Sequence, residues 1–306
     1  MRSTTRIAGA FAGIAIAALA LTACNSGTPG ADTTPGGDAS GEAPAGNPWT
    51  VAEGVTIDGS PTFEKIKAAG VVKVGVKEDQ PGLGYLDPVS GERTGFDVDI
   101  ARWIAASLGF DEDKIEFTAI PSANREQAIV NGDIDYYVGT YSITDKRKEQ
   151  ISFAGPYFVT GQGLLVAAGN DSITGKDSLT ADDVVCSATG STSIQRIKDE
   201  TPAKTKEYDT YSACVEDLKN GQVDAVTTDE AILIGYAAQD PDNLKVVGDV
   251  FSEERYGVGI AKGDTAFQEF INKTFTDGGE IWTAIFDKNL GASGVKGTQP
   301  EVDPVG

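Results

Sequence analysis

The chain contains no histidine among its 306 residues. The side chain that most often moves protons near neutral pH is therefore missing. That excludes Ser-His-Asp and Cys-His nucleophilic catalysis, and any His-ligated zinc or haem. Cations are scarce as well: 25 Lys and Arg stand against 46 Asp and Glu, a net charge of −21. Nucleic acid needs clustered cations against its phosphates, and anionic lipid needs a basic face, so neither is expected as the main partner. An anionic ligand would have to be held in a locally positive pocket. Methionine occurs once, as Met1, and cysteine three times, with no CxxC redox pair. No apolar run reaches the roughly 20 residues of a membrane-spanning helix. No cofactor and no metal site is expected.

The length suits about two domains of ordinary size, and such a chain buries enough apolar surface to fold without a metal. The first segment is an address. Arg2 and Arg6 precede an apolar run, Ile7 to Leu21, which ends in Leu21-Thr22-Ala23-Cys24. A charged start, about 15 apolar residues and small residues before a cut site describe a secretory signal peptide over 1–23. An uncleaved anchor is the alternative. The Leu-Thr-Ala-Cys end resembles a bacterial lipobox, which implies a lipidated Cys24 as mature N-terminus. That would anchor the protein at the outer face of the cell membrane. Cleavage there removes two cations and no acid, leaving 23 basic against 46 acidic side chains.

Asn25 to Pro48 carries Gly, Pro, Ala, Thr, Ser, Asn, Asp and one Glu, with no large apolar residue. Such a stretch cannot bury enough surface to fold. We expect the lipidated Cys and a flexible tether to occupy 24–59. With Cys24 assigned to the anchor, Cys186 and Cys214 remain, and in an exported protein they can form one disulfide. It would close a loop worth about 3–4 kcal/mol on the chain-entropy model; two buried free thiols are the alternative.

Beyond the tether, strand-like and helix-like segments alternate, which predicts an α/β fold with largely parallel sheets. Apolar residues at Val98, Ile100, Ala101, Ile104, Ala105 and Leu108 mark one helix face. One phrase occurs twice: Asn131-Gly132-Asp133-Ile134-Asp135 and Asn220-Gly221-Gln222-Val223-Asp224. Each stops a helix with Asn-Gly and starts a strand, which suggests the same unit in two lobes; two coincident helix stops are the alternative reading.

Gly95-Phe96-Asp97-Val98-Asp99-Ile100, with Ile104, Ala105 and Leu108 behind it, resembles the signature of the polar amino-acid family of extracellular solute-binding proteins. These proteins feed ABC transporters. The resemblance runs from about Phe63 to Leu290. Within the family, Lys77 to Gly84 is most similar to glutamate-binding lipoproteins of Gram-positive actinobacteria. The resemblance implies a two-lobe, periplasmic-binding-protein-like fold of type II, with two crossing strands and the ligand in the cleft. It divides the chain into 60–159 (lobe 1), 160–250 (lobe 2), 251–296 (return to lobe 1) and a flexible tail, 297–306. The crossings are expected near Phe158–Gly161 and Asp249–Glu253.

The resemblance also assigns the ligand groups. Gly139 to Arg147 matches the family's ligand loop. Arg147 and the Ser142 N–H would take the α-carboxylate, since guanidinium offers a planar fork to two oxygens. Gly139 and Thr140 would meet the ammonium. Thr192, where a strand opens into a helix, would complete the carboxylate site from lobe 2. Asp229, at a strand end, would pair with the ammonium. Lys77 and Arg125 match basic contacts of acidic-amino-acid binders, which implies glutamate or aspartate; an amide would leave a buried charge poorly paired. Family members often carry an aromatic near Gln80, and none stands here, so Gln80 to Tyr85 is an undefined wall of the pocket.

The function implied is a lipid-anchored, monomeric receptor that delivers an acidic amino acid to a permease. It is a binding protein, not an enzyme. Two alternatives share the scaffold: a sensor module for a membrane signalling partner, and a dehydratase acting on cyclic precursors of aromatic amino acids.

Overall fold

The computed structural model describes residues 46–305. The signal peptide, Cys24 and the tether up to residue 45 lie outside the described residues. In chain order the elements are α1 (Pro61–Ala69), β1 (Val72–Val76), β2 (Asp79–Gln80), β3 (Gly84–Leu86), β4 (Arg93–Thr94), α2 (Phe96–Ser107), β5 (Ile115–Ala119), α3 (Arg125–Asn131), β6 (Tyr136–Tyr137), α4 (Asp145–Lys148), β7 (Ser152–Thr160) and β8 (Gln162–Ala167). They continue with β9 (Val184–Ala188), α5 (Thr192–Glu200), β10 (Lys204–Tyr208), α6 (Tyr211–Lys219), β11 (Ala225–Asp229), α7 (Glu230–Gln239), β12 (Leu244–Val247), β13 (Glu254–Ile260), α8 (Thr265–Asp277) and α9 (Gly279–Asn289).

Two five-stranded sheets carry the two lobes. Lobe 1 has the order β5-β1-β6-β13-β7, and lobe 2 the order β10-β9-β11-β8-β12. In each, three parallel strands come first, followed by two that run antiparallel to their neighbours. The chain leaves lobe 1 at Gly161, between β7 and β8, and returns through 248–253, between β12 and β13. A small sheet, β2-β3-β4, sits beside lobe 1.

Local chemistry explains the entry into α2. Gly95 has φ 123, and a Cβ there would lie 2.1 Å from the Leu83 carbonyl oxygen. Only glycine fits, and the fit lets the Phe96 and Asp97 N–H groups donate to the Gly82 and Leu83 carbonyls. Val98, Ile100, Ala101, Ile104, Ala105 and Leu108 are all buried. So are Asp97 and Asp99. Asp99 binds Arg102, Lys288 and Asn289, pinning α9 to α2. The rings of Phe96, Phe158, Trp282 and Phe286 pack 5.2–6.3 Å apart beneath them.

The repeated phrase performs the same task in both lobes. Gly132 and Gly221 both have positive φ at the ends of α3 and α6. The Asp135 carboxylate accepts from the Lys73 N–H and its own N–H donates to the Lys73 carbonyl. Asp224 does the same with Val184. Cys186 and Cys214 form a disulfide joining β9 to α6.

Two boundary expectations are corrected. The flexible tether does not reach residue 59: Trp49 and Val55 pack on the core, Ile57 is buried, and the Ala52 N–H donates to the Ala106 carbonyl. These apolar side chains are what Asn25 to Pro48 lacks. The 297–306 segment is not a loose tail over its described part. Val302 packs on the core, Gln299 donates to the Phe275 carbonyl, and Asp303 is held by Arg255, Asn272 and the Gly155 carbonyl.

Candidate functional site

The carboxyl ends of the parallel strands of the two sheets face one cleft, and the lobes are closed on it. Nη2 of Arg147 in lobe 1 donates to the Gly190 carbonyl of lobe 2 at 3.2 Å. The backbone N–H groups of Tyr211 and Ser212 in lobe 2 donate to the Asp79 carboxylate of lobe 1. One pocket of about 530 Å³ where the lobes meet is lined by Ser122, Glu126, Arg147, Gly190 and Thr192, and another of about 120 Å³ by Lys77, Asp79, Pro121 and Asp209.

Lys77, Gly139, Thr140, Ser142, Arg125, Arg147, Thr192 and Asp229 all stand on the elements that border this cleft. Lys77 follows β1 and is 4% exposed; its Nζ donates to Ser122 Oγ at 2.8 Å. Arg125 opens α3 and is 2% exposed. Its Nε donates to the Ser122 carbonyl, and its guanidinium lies 4.2 Å from the centre of the Tyr141 ring. Arg147, in α4, covers the same ring at 4.9 Å. It donates to Glu126 Oε1 at 3.2 Å and to the Ser142 carbonyl at 2.6 Å. Among the described residues, Lys77 and Arg125 have no carboxylate within ion-pair distance, whereas Arg147 has Glu126.

The three cations feel one another. Burial pushes the Lys77 ammonium down to about 7, and the neighbouring Arg125 and Arg147 charges push the same way against Asp79. Burial and Arg125 likewise lower Arg147. A buried positive cluster with too few anions lacks a counter-charge.

Across the cleft the imbalance is reversed. Asp229 ends β11 and is 4% exposed. Its Oδ2 accepts from the Tyr256 hydroxyl at 2.7 Å, while Oδ1 has no partner. Burial, with Glu254 nearby, pushes its carboxyl up to about 7. The neighbouring Thr228 hydroxyl is also buried and unpartnered. Buried polar atoms without partners are rare, and these two stand at the end of β11.

The loop between β6 and α4 is held from behind. Thr140 has φ 46, a left-handed conformation disfavoured for a β-branched residue. Asp97 fixes it by accepting from the Thr140 N–H at 2.8 Å, while Tyr157 holds the other oxygen. Burial raises Asp97 to about 6. The Ser142–Tyr256 bridge is made by the Ile143 N–H and the Tyr141 carbonyl, which leaves the Ser142 N–H outside that pairing. Thr192 begins α5, but its hydroxyl donates to Glu254 Oε2 at 3.1 Å. Its N–H, at the helix start, has no intrahelical acceptor.

Gln80 is fully buried, with its amide against the Thr140 hydroxyl at 3.1–3.2 Å. The buried Tyr141 ring lies beside both arginines, its centre 4.2 Å from the Arg125 guanidinium and 4.9 Å from that of Arg147. Tyr141, Ser122 and Glu254 are not among the candidate residues named from the sequence. Tyr141 stood in plain view inside the ligand loop; Glu254 had no local signal, because it reaches the cleft through the returning hinge segment.

Known proteins are similar to this chain in sequence and in fold. A glutamate-binding protein, GluB, of Corynebacterium efficiens is 42% identical over 236 residues, covering 72% of this chain and 79% of that protein. A glutamine-binding protein of Geobacillus stearothermophilus is 40% identical over 220 residues, covering 72% and 83%. Among solved structures, an ancestral arginine-binding protein bound to arginine matches with TM-score 0.66 at 36% identity, over 72% of this chain and 98% of that one. The family profile matches residues 72–291, and with two similar sheets closing over one charged cleft, the chain belongs to the bacterial extracellular solute-binding proteins, family 3.

Proposed function

We propose that the protein is a receptor for an acidic amino acid, L-glutamate or L-aspartate, which it hands to an ABC-transporter permease. The observation that carries the ligand class is the buried trio Lys77, Arg125 and Arg147, two of which have no carboxylate partner among the described residues. A ligand with two carboxylates supplies the missing counter-charge; one with a single carboxylate leaves a desolvated cation behind. In this reading Arg147, the Ser142 N–H and the Thr192 N–H take the α-carboxylate. Asp229 Oδ1, the Gly139 carbonyl and the Thr140 hydroxyl take the ammonium. Lys77 and Arg125 take the distal carboxylate. Groups from both lobes touch the same ligand, so it favours the closed state.

The glutamate-binding relative supports this reading, and the glutamine-binding one makes glutamine the direct competitor. The sequence adds the anchor: a lipid on Cys24 would hold the protein at the outer face of the membrane. The glutamate- and glutamine-binding relatives support a binding role.

Calorimetry with L-glutamate, L-aspartate, L-glutamine and L-arginine tests the reading. Glutamate or aspartate should bind most tightly. Heat with arginine or glutamine and none with the acids overturns it. Arg125→Ala should weaken glutamate at least about tenfold and glutamine much less; equal losses remove its side-chain role. Turnover of prephenate or arogenate would instead indicate the dehydratase, and undiminished uptake in a deletion strain would indicate the sensor.

A further inference from the structure

The N-terminus of α6 is capped by the wrong lobe. Thr210, its own N-cap residue, makes no side-chain capping bond to the helix. The Asp79 carboxylate, 132 and 133 positions earlier and on lobe 1, accepts from the Tyr211 N–H at 2.8 Å and the Ser212 N–H at 3.1 Å. Oδ2 also lies 3.3 Å from the Tyr236 hydroxyl of α7, and that hydroxyl donates to the Asp79 carbonyl. One short strand of lobe 1 is thus gripped by two helices of lobe 2. The approach depends on Gly235 of α7: a Cβ there would stand 2.3 Å from the Pro81 carbonyl oxygen. The receiving helix is rigid, since Cys214, one turn along α6, is joined to β9.

We propose that Asp79 is a closure latch, a positioning residue that sets affinity through the lobe equilibrium. Resting on the receptor reading above, it adds a determinant that no ligand atom touches. An N-cap carboxylate satisfies free N–H groups and meets the positive end of the helix dipole. When the lobes part, those N–H groups return to water and the bonds are lost. The latch therefore biases the closed state whatever amino acid is bound, and the ligand's apparent affinity scales with the closed fraction. Asp79 also neighbours the side-chain end of the cleft, because its charge acts on Lys77.

Two substitutions separate the roles. Asp79→Ala and Asp79→Asn both remove the charge near Lys77, but asparagine caps a helix nearly as well as aspartate and alanine does not. Calorimetry with L-glutamate and L-glutamine should show Asp79→Ala binding each about tenfold more weakly than Asp79→Asn. Equal affinities of the two variants overturn the latch. Amide hydrogen exchange gives a readout that does not depend on the ligand assignment. In Asp79→Ala, exchange at Tyr211 and Ser212 should accelerate while β9 and β11 keep their protection; unchanged exchange at those two amides overturns the latch. If the wild-type chain binds neither amino acid, the receptor reading fails, and the exchange result still decides the latch.

Discussion

The two lobes share one plan and divide the chemistry unequally. Each sheet has four strands running one way and one, β13 or β8, running against them, and in each an Asn-Gly stop delivers an aspartate that locks a parallel strand: Asp135 on Lys73, Asp224 on Val184. On that common frame, lobe 1 carries the cations Lys77, Arg125 and Arg147, and lobe 2 carries Asp229 and the start of α5. Lobe 1 is held by an aromatic cluster around Phe96, whereas lobe 2 is tied by Cys186–Cys214. In both lobes the lock is a carboxylate accepting from a backbone N–H of a parallel strand. Opposite charges on opposite lobes make a zwitterionic ligand the natural bridge. Closed empty, lobe 1 would keep Lys77 and Arg125 buried without a carboxylate among the described residues, and lobe 2 would keep Asp229 Oδ1 without a partner, a costly pair of deficits.

The division can be broken most forcefully at Asp229. Asp229→Asn removes the only carboxylate we assign to the ammonium. Affinity should fall about 100-fold or more for glutamate and glutamine alike, measured by calorimetry. A loss confined to glutamate would mean that Asp229 serves the side chain and that the division is misdrawn. Next comes the disulfide. The Cys186→Ser, Cys214→Ser double variant should lose about 3 kcal/mol in denaturant unfolding. Hydrogen exchange should rise in β9 and α6 and stay slow in β1 and β6; equal loosening of both sheets would show that the lobes do not differ in what holds them.

The smallest effect is a pH profile. Asp229 must be ionised to receive the ammonium, and burial has pushed its carboxyl up to about 7. Affinity should therefore weaken as pH falls below 7. Lys77 must be charged to receive the distal carboxylate, and burial has pushed it down to about 7. Affinity for glutamate should weaken as pH rises above 7. The result is a maximum near pH 7, with at most about tenfold loss per pH unit on each side. Lys77→Gln should abolish the alkaline fall and keep the acid one. A flat profile between pH 5.5 and 8.5 would remove both assignments.

Much of the frame was legible because its signals are local. Helix α2 announced itself by apolar spacing, and all six of those residues are buried. Strand β10, Lys204–Tyr208, carries no comparable apolar signal. It is a polar edge strand with three charged residues, and edges are kept polar to prevent further pairing. The β2-β3-β4 sheet has strands of two or three residues, too short for any period to show. The docked ends at 49–59 and 297–305 were read as loose because their few anchors, Trp49, Ile57 and Val302, are scattered singly.

The sequence by itself determined the absence of histidine chemistry, the α/β frame, the repeated unit and the identity of the charges available to a cleft. Those follow from composition and short-range spacing, which a chain carries unfolded. Only the tertiary structure decided which of those charges lack partners. Asp97 and Asp229 are both buried acids, yet Asp97 spends its oxygens on Thr140 and Tyr157, while Asp229 keeps one free. Glu126 reaches Arg147 and not Arg125. Asp79 caps a helix more than 130 positions away. Pairing depends on distances of about 3 Å between residues remote in sequence, and closing the lobes sets those distances.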